Sequence, residues 1–202
     1  MRRTLMIVLL LVLSVGIPVR PLLAQEASVC KFTPAEVTLL ETALQRLILT
    51  NVVSGFPTMV SDRTEPQYFR AQFAVVLVTG LGLRDEAENY AGEPSFPDLR
   101  GHWAVGAVEV LHRQGIVVGY PGGAFGPDDK VTLPQVKLML ARALRLGSDL
   151  TLENADMALR QGGVDTSVPC STDPWASAGQ VYLLLDRTLS VPFYARLSGQ
   201  PR

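Results

Sequence analysis

Histidine and cysteine are scarce: the chain holds two of each among 202 residues. His102 and His112 lie ten positions apart, a spacing that does not gather two imidazoles on one metal ion. No Gly-x-Ser-x-Gly elbow occurs, and neither cysteine has a partner of the kind that activates a nucleophile, so the common catalytic constellations are missing and no enzyme, cofactor or metal is expected. Basic tracts and aromatic–basic interleaving are absent too, which excludes the electrostatic footprint of a nucleic-acid binder and the basic face of a membrane-surface helix. Long apolar runs are confined to the start. There Arg2 and Arg3 precede an apolar stretch from Leu5 to Ile17, Pro18 ends it, and Ala24 offers a small residue for cleavage. Such a run is short for roughly 30 Å of hydrocarbon, so residues 1–24 read as a secretory signal, the other reading being an uncleaved anchor. No membrane span is expected after cleavage.

Without that segment 178 residues remain, with 15 basic against 19 acidic side chains and a net charge of −4. That length suits one core or a short array of repeats sharing one. Cys30 and Cys170 both fall in the exported part, where oxidation permits a disulfide between them; two separate thiols are the alternative.

What is present is self-similarity. Asn51-Val52-Val53-Ser54-Gly55-Phe56-Pro57 aligns with Gly115-Ile116-Val117-Val118-Gly119-Tyr120-Pro121. Each follows an amphipathic helical pattern and precedes a second one, 70–81 and 133–146. Thr33, Pro34 and Glu36 spell an N-cap, an N1 proline and the N3 acid of a capping box, and Thr132 with Gln135 does the same for the later helix. Val37, Leu40, Leu44, Leu47 and Ile48 form one apolar stripe; Val136, Leu140, Ala143 and Leu144 form another. Asn51, Gly82, Gly115 and Gly147 end helices. A further short helix is expected over 152–160, and a third copy starts at Asp173-Pro174-Trp175-Ala176, set against His102-Trp103-Ala104, and stops short after an apolar first helix.

The second copy, with Phe96-Pro97-Asp98, His102-Trp103-Ala104, Gly115-Ile116, Gly119-Tyr120-Pro121-Gly122-Gly123 and Phe125-Gly126-Pro127, resembles an S-layer homology repeat along nearly its whole length. The resemblance implies an all-α fold of helix-turn-helix repeats in a pseudo-threefold bundle, the third repeat truncated or degenerate. It divides the chain into the signal segment 1–24, a divergent repeat 32–84, an acidic linker 85–95 holding Asp85, Glu86 and Glu88, a repeat 96–147, and a connecting helix with a partial repeat 148–202. It further implies an envelope protein, in the periplasm or at the cell wall and surface, that binds a secondary cell-wall polysaccharide or a peptidoglycan-linked glycan through grooves between lobes.

Carried over residue by residue, Arg70 holds the place of the family's helix-start arginine and is the leading ligand contact; Gln72 stands where that motif has an acid. Trp103, Tyr120, Gly122 and Gly123 match the aromatic and turn positions. Leu133 and Pro134 replace the arginine and alanine in the second copy, leaving Lys130 or Lys137 as substitutes for the anion contact. Beside these stand plainer readings: Trp103 and Trp175 as core anchors at a helix start, and Arg70 as a solvated surface charge. A degenerate scaffold that binds another envelope protein is the rival function. The family's repeats are usually joined to a larger surface protein, and the sequence shows no such payload.

Overall fold

The three longer segments that precede Arg70, Leu133 and Ala178 are tied to one another through their backbones. Tyr68 N–H donates to Ala176 O at 2.9 Å, Ala176 N–H to Val131 O at 2.8 Å, and Val131 N–H to Tyr68 O at 2.8 Å, so three bonds close a ring. Flanking bridges pair Gln67 with Ser177, Phe69 with Lys130, and Thr132 with Trp175. In each pair the residue just before a helix meets the residue two places earlier in the next segment. All three ring residues are buried, and Tyr182 adds an edge-on ring 5.6 Å from Tyr68 with the two hydroxyls 3.2 Å apart. Burial pushes the Tyr68 phenol far above its ordinary pKa, so it stays neutral at any working pH.

The computed structural model describes residues 32–53, 67–169 and 174–191. The signal segment, Cys30, Cys170 and the turn 54–57 lie outside the described residues, as does Asp173. The described residues belong to one unit, Lys31–Arg202, and it is all-α: the described residues hold helices α1 (Pro34–Leu49), α2 (Arg70–Gly80), α3 (Arg84–Glu88), α4 (Val105–Arg113), α5 (Leu133–Ala143), α6 (Ala155–Gln161) and α7 (Ala178–Ser190), with one 3-10 turn at Pro97–Leu99. None of these helices is long and apolar enough to cross a membrane.

Local chemistry sets the ends. At α1, Thr33 N–H donates to Glu36 Oε2 at 2.7 Å and Glu36 N–H returns to Thr33 Oγ1 at 3.3 Å, the reciprocal cap expected from the sequence. The ring-bearing helices share a neutral version. Gln72, Gln135 and Gln180 each accept through Oε1 from the N–H of Phe69, Thr132 and Ser177, at 3.1, 3.0 and 3.0 Å. Four helices also finish alike. After α1, α2, α4 and α6 the residues Asn51, Gly82, Gly115 and Gly163 take φ of 58°, 72°, 70° and 86°, and the next N–H reaches back at 2.9 Å to the carbonyls of Leu47, Val78, Leu111 and Leu159. At the end of α5 it is Arg145, at φ 55°, that turns the chain, two residues before the Gly147 that the sequence favoured.

Packing crosses the sequence order. α2 lies against α4, α5 against α6, and α7 against α1, while α7 also meets α2 and α5 at the centre. The core is continuous through Phe73, Leu77, Leu111, Phe125, Leu140, Leu144 and Leu184, and Leu40 and Ala43 join α1 to Leu183 of α7. The inward stripe Val136, Leu140, Ala143 and Leu144 is buried as expected. Ile48 of the α1 stripe is instead 44 % exposed; among the described helices α1 packs chiefly against α7.

Two stretches differ from expectation. The acidic stretch 85–95 is partly helical and pinned down: α3 packs on α4, and the buried Glu109 carboxylate accepts from Ser95 N–H at 2.7 Å and Ser95 Oγ–H at 2.8 Å. Trp175 does not open a first helix. It bridges to Thr132, and Ser177 caps α7 with Gln180 as Thr132 caps α5 with Gln135, so α7 begins as α5 does.

Candidate functional site

Of the residues singled out from the sequence, Tyr120, Gly122 and Gly123 lie in the loop 118–127 that joins α4 to α5, and Arg70 lies against it. Two constraints shape it. Gly119 has no room for a side chain, since a Cβ there would come within 2.6 Å of the Phe96 ring and 2.8 Å of Ala124 O; Gly126 combines φ 71° with a Cβ site 2.6 Å from the Tyr120 ring. Asp98, at the end of the Phe-Pro-Asp motif, clamps the far side by accepting from Phe125 N–H at 3.0 Å and Gly126 N–H at 2.7 Å. Gly122 and Gly123, with φ of 126° and 83°, form the exposed tip, where Gly123 N–H closes the turn on Tyr120 O at 3.0 Å.

Arg70 is inside this loop. The residue is 4 % exposed, its guanidinium carbon sits 4.6 Å from the centroids of both Tyr120 and Phe125, and Nε donates to Phe125 O at 2.9 Å. A second, longer bond runs from its terminal nitrogen to Val118 O at 3.5 Å. Burial works against its charge, and the nearby Tyr120, Asp129 and Asp98 offset part of that cost. The backbone behind it is also occupied, because Arg70 N–H bonds Asp129 O at 2.9 Å and Ala71 N–H bonds Pro127 O at 3.0 Å. The first positions of the other two ring-bearing helices are Leu133 and Ala178, both buried and apolar.

Of the residues suggested as anion substitutes, Lys137 is paired with Asp156 at 2.6 Å, and Lys130 is exposed beside Asp128 and Asp129. Gln72 is exposed but spends Oε1 on the helix cap.

Trp103 is 65 % exposed, so the core-anchor reading of this residue does not hold; burial at this corner is supplied by Leu99, Ala104 and Ala107 instead. Its indole lies against the His102 ring, centroids 5.3 Å apart and tilted by 34°. His102 Nδ1 accepts from Ala104 N–H at 3.2 Å, which turns Nε2 toward Asp128 Oδ1 at 3.7 Å. Residues 95–133 therefore present one exposed aromatic face at Trp103, a half-buried Tyr120, and the carboxylates of Asp98 and Asp128. This can stack on a sugar ring and accept its hydroxyl hydrogens. Among the described residues no group of His, Cys, Asp and Glu is arranged to hold a metal ion.

The structural role of Asp98 could have been read from its place in the motif but not from its residue type. Burial alone would raise its pKa, yet the two backbone N–H donors and the nearby His102 outweigh that and hold it below the ordinary carboxylate value. A depressed folded-state pKa gives stability that is complete above the unfolded value of about 3.9 and is lost as pH falls through the folded value. Asp98→Asn is therefore expected to melt below the parent protein at pH 7, and the gap between the two melting temperatures should close in acid; a constant gap would show that the charge is irrelevant.

Residues 95–133 match the family model described as the S-layer homology domain, so this segment is an S-layer homology domain. Over 161 residues, 78 % of it, the chain is 29 % identical to a cell surface protein of Thermoanaerobacter kivui. It is 31 % identical over 108 residues, 52 % of its length, to the surface layer protein of Brevibacillus choshinensis, and 32 % identical over 71 residues, 35 % of its length, to a cellulosome-anchoring protein of Acetivibrio thermocellus. The chain matches only a small part of each: 21 %, 9 % and 16 % of their respective lengths.

Proposed function

We propose that the chain is an exported cell-envelope protein, held at the cell wall or surface, that attaches non-covalently to cell-wall polysaccharide and performs no catalysis. The observation that carries this is a coincidence of place: residues 95–133, which match the S-layer homology domain, hold both the open face of Trp103 and the exposed Pro121-Gly122-Gly123 turn. The names of the similar proteins, surface-layer and anchoring among them, agree with it. The helix pairs α1/α2, α4/α5 and α6/α7 are, on this reading, three repeats about the backbone ring, each helix packed on a helix of another repeat. The third is then complete in its helices, with α7 as its second. Arg70 supports the binding loop from behind, and Trp103 and Tyr120, with Gly122, Gly123 and the amide of Gln72, form the face toward the glycan.

Sedimentation of the exported chain with purified, polymer-bearing cell wall tests this. The parent protein should pellet, and Trp103→Ala should weaken the apparent affinity roughly tenfold, close to the upper end of what one aromatic platform is worth, about 1.5 kcal/mol. A parent protein that stays in the supernatant sinks the reading.

A second reading is favoured by one observation. Ile48 and Leu49, at the end of α1, are 44 % and 84 % exposed, an apolar pair suited to another envelope protein. A scaffold of that kind would co-purify with a protein and ignore the wall.

A further inference from the structure

We infer that His102 is the positioning residue of the Trp103 platform: its imidazole holds the indole in the orientation that meets a sugar ring. The inference rests on the proposed attachment to cell-wall polysaccharide and adds the residue that keeps that site in shape. An indole that is 65 % exposed has little protein around it to fix its side-chain angles. Its neighbour is held far more closely. The His102 side chain is 15 % exposed and lies against the indole, with ring centroids 5.3 Å apart.

The two ring nitrogens settle how the imidazole stands. Nδ1 accepts from Ala104 N–H at 3.2 Å, and Ala104, the residue before α4, is buried, so this bond satisfies a donor that water does not reach. A neutral imidazole that accepts through one nitrogen carries its proton on the other, and Nε2 faces Asp128 Oδ1 at 3.7 Å. Asp128 stands one residue beyond the 118–127 loop. Asp98, which accepts from the loop's Phe125 and Gly126 N–H groups, lies near the same ring. The imidazole thus joins the corner that carries Trp103 to the loop that carries Tyr120. Ordering one such side chain before the ligand arrives is worth roughly three- to tenfold in affinity. Arg100, exposed two residues earlier, provides a control on the charge of this corner.

The test takes two readouts on the exported full chain: sedimentation with purified wall, and acrylamide quenching of Trp103 emission in a Trp175→Phe background, where Trp103 is the one tryptophan left. In His102→Asn the side-chain oxygen replaces Nδ1 on Ala104 N–H while the ring is gone. That variant should melt close to the parent, yet its quenching should rise and its wall affinity fall about fivefold. His102→Phe keeps a ring beside the indole and strands the buried N–H. It should melt lower but, assayed below its transition, bind within about twofold of the parent. Arg100→Ala should change neither readout by more than about twofold. Parent-like quenching or parent-like binding in His102→Asn, or a His102→Phe that binds no better than His102→Asn, reduces His102 to a helix cap and overturns the inference. An Arg100→Ala variant that reproduces the His102→Asn result overturns it as well, since charge and not the ring would then set the indole. A parent protein that fails to sediment sinks the wall attachment instead, and the quenching comparison still decides what His102 does.

Discussion

Arg70→Ala is expected to lower the melting temperature by roughly 10 °C, and any loss of wall binding should follow from that instability. The substitution removes a charge-assisted hydrogen bond worth about 1.5–3 kcal/mol and leaves Phe125 O buried with one donor fewer. It also empties the slot between two aromatic rings, where a cation contributes about 1–2 kcal/mol. Together these amount to about 3–4 kcal/mol, and in a chain of this size each kcal/mol moves the midpoint by about 2–4 °C. Arg70→Leu should cost less than Arg70→Ala, because Leu133 already fills the corresponding first position of α5 as a buried side chain. Thermal denaturation of the two variants beside the parent checks both points. If Arg70→Ala melts like the parent yet no longer sediments with wall, Arg70 touches the ligand and the present assignment fails.

The second large effect concerns the junction of the first and last helices. Arg46 of α1 forms a two-pronged bond to Asp186 of α7, Nε to Oδ1 at 2.8 Å and a terminal nitrogen to Oδ2 at 2.5 Å. The partners are unequal: the Asp186 side chain is 5 % exposed and that of Arg46 54 %. Arg46→Ala therefore strands a buried carboxylate and should cost about 3 kcal/mol, whereas Asp186→Asn leaves an arginine that can turn to water and should cost about 1 kcal/mol. Urea unfolding curves of the two single variants measure this asymmetry. Equal losses would mean that the pair acts as an ordinary surface salt bridge.

The capping boxes at Thr33 and Thr132, the left-handed turns at Asn51 and Gly115 and the inward stripe of α5 were legible in the sequence, since each depends on residues within about one helical turn. So was the loop 118–127, through its glycines and aromatics. The position of Arg70 was not, because it is fixed by Val118, Tyr120 and Phe125, some fifty residues away in the chain. The core-anchor reading of Trp103 fails for a related reason. A large aromatic at a helix start usually buries itself, but here Leu99 and Ala104 already close the core beneath it. The pairing of α7 with α1 left no local trace at all. An apolar helix announces that it will be covered but not by what.

Because α1 finds its partner in α7, the first of the described helices to be synthesised waits for the last. Until Asp186 follows, Arg46 lacks this counter-charge, and Leu40 and Ala43 lack the cover of Leu183. The young chain thus carries its first hydrophobic surface still open, and contacts between such distant residues form slowly. Cutting away the last fifteen or so residues of α7 and its approach would harm the beginning of the molecule more than the middle, and a single helix pair expressed alone would lack half of its own packing.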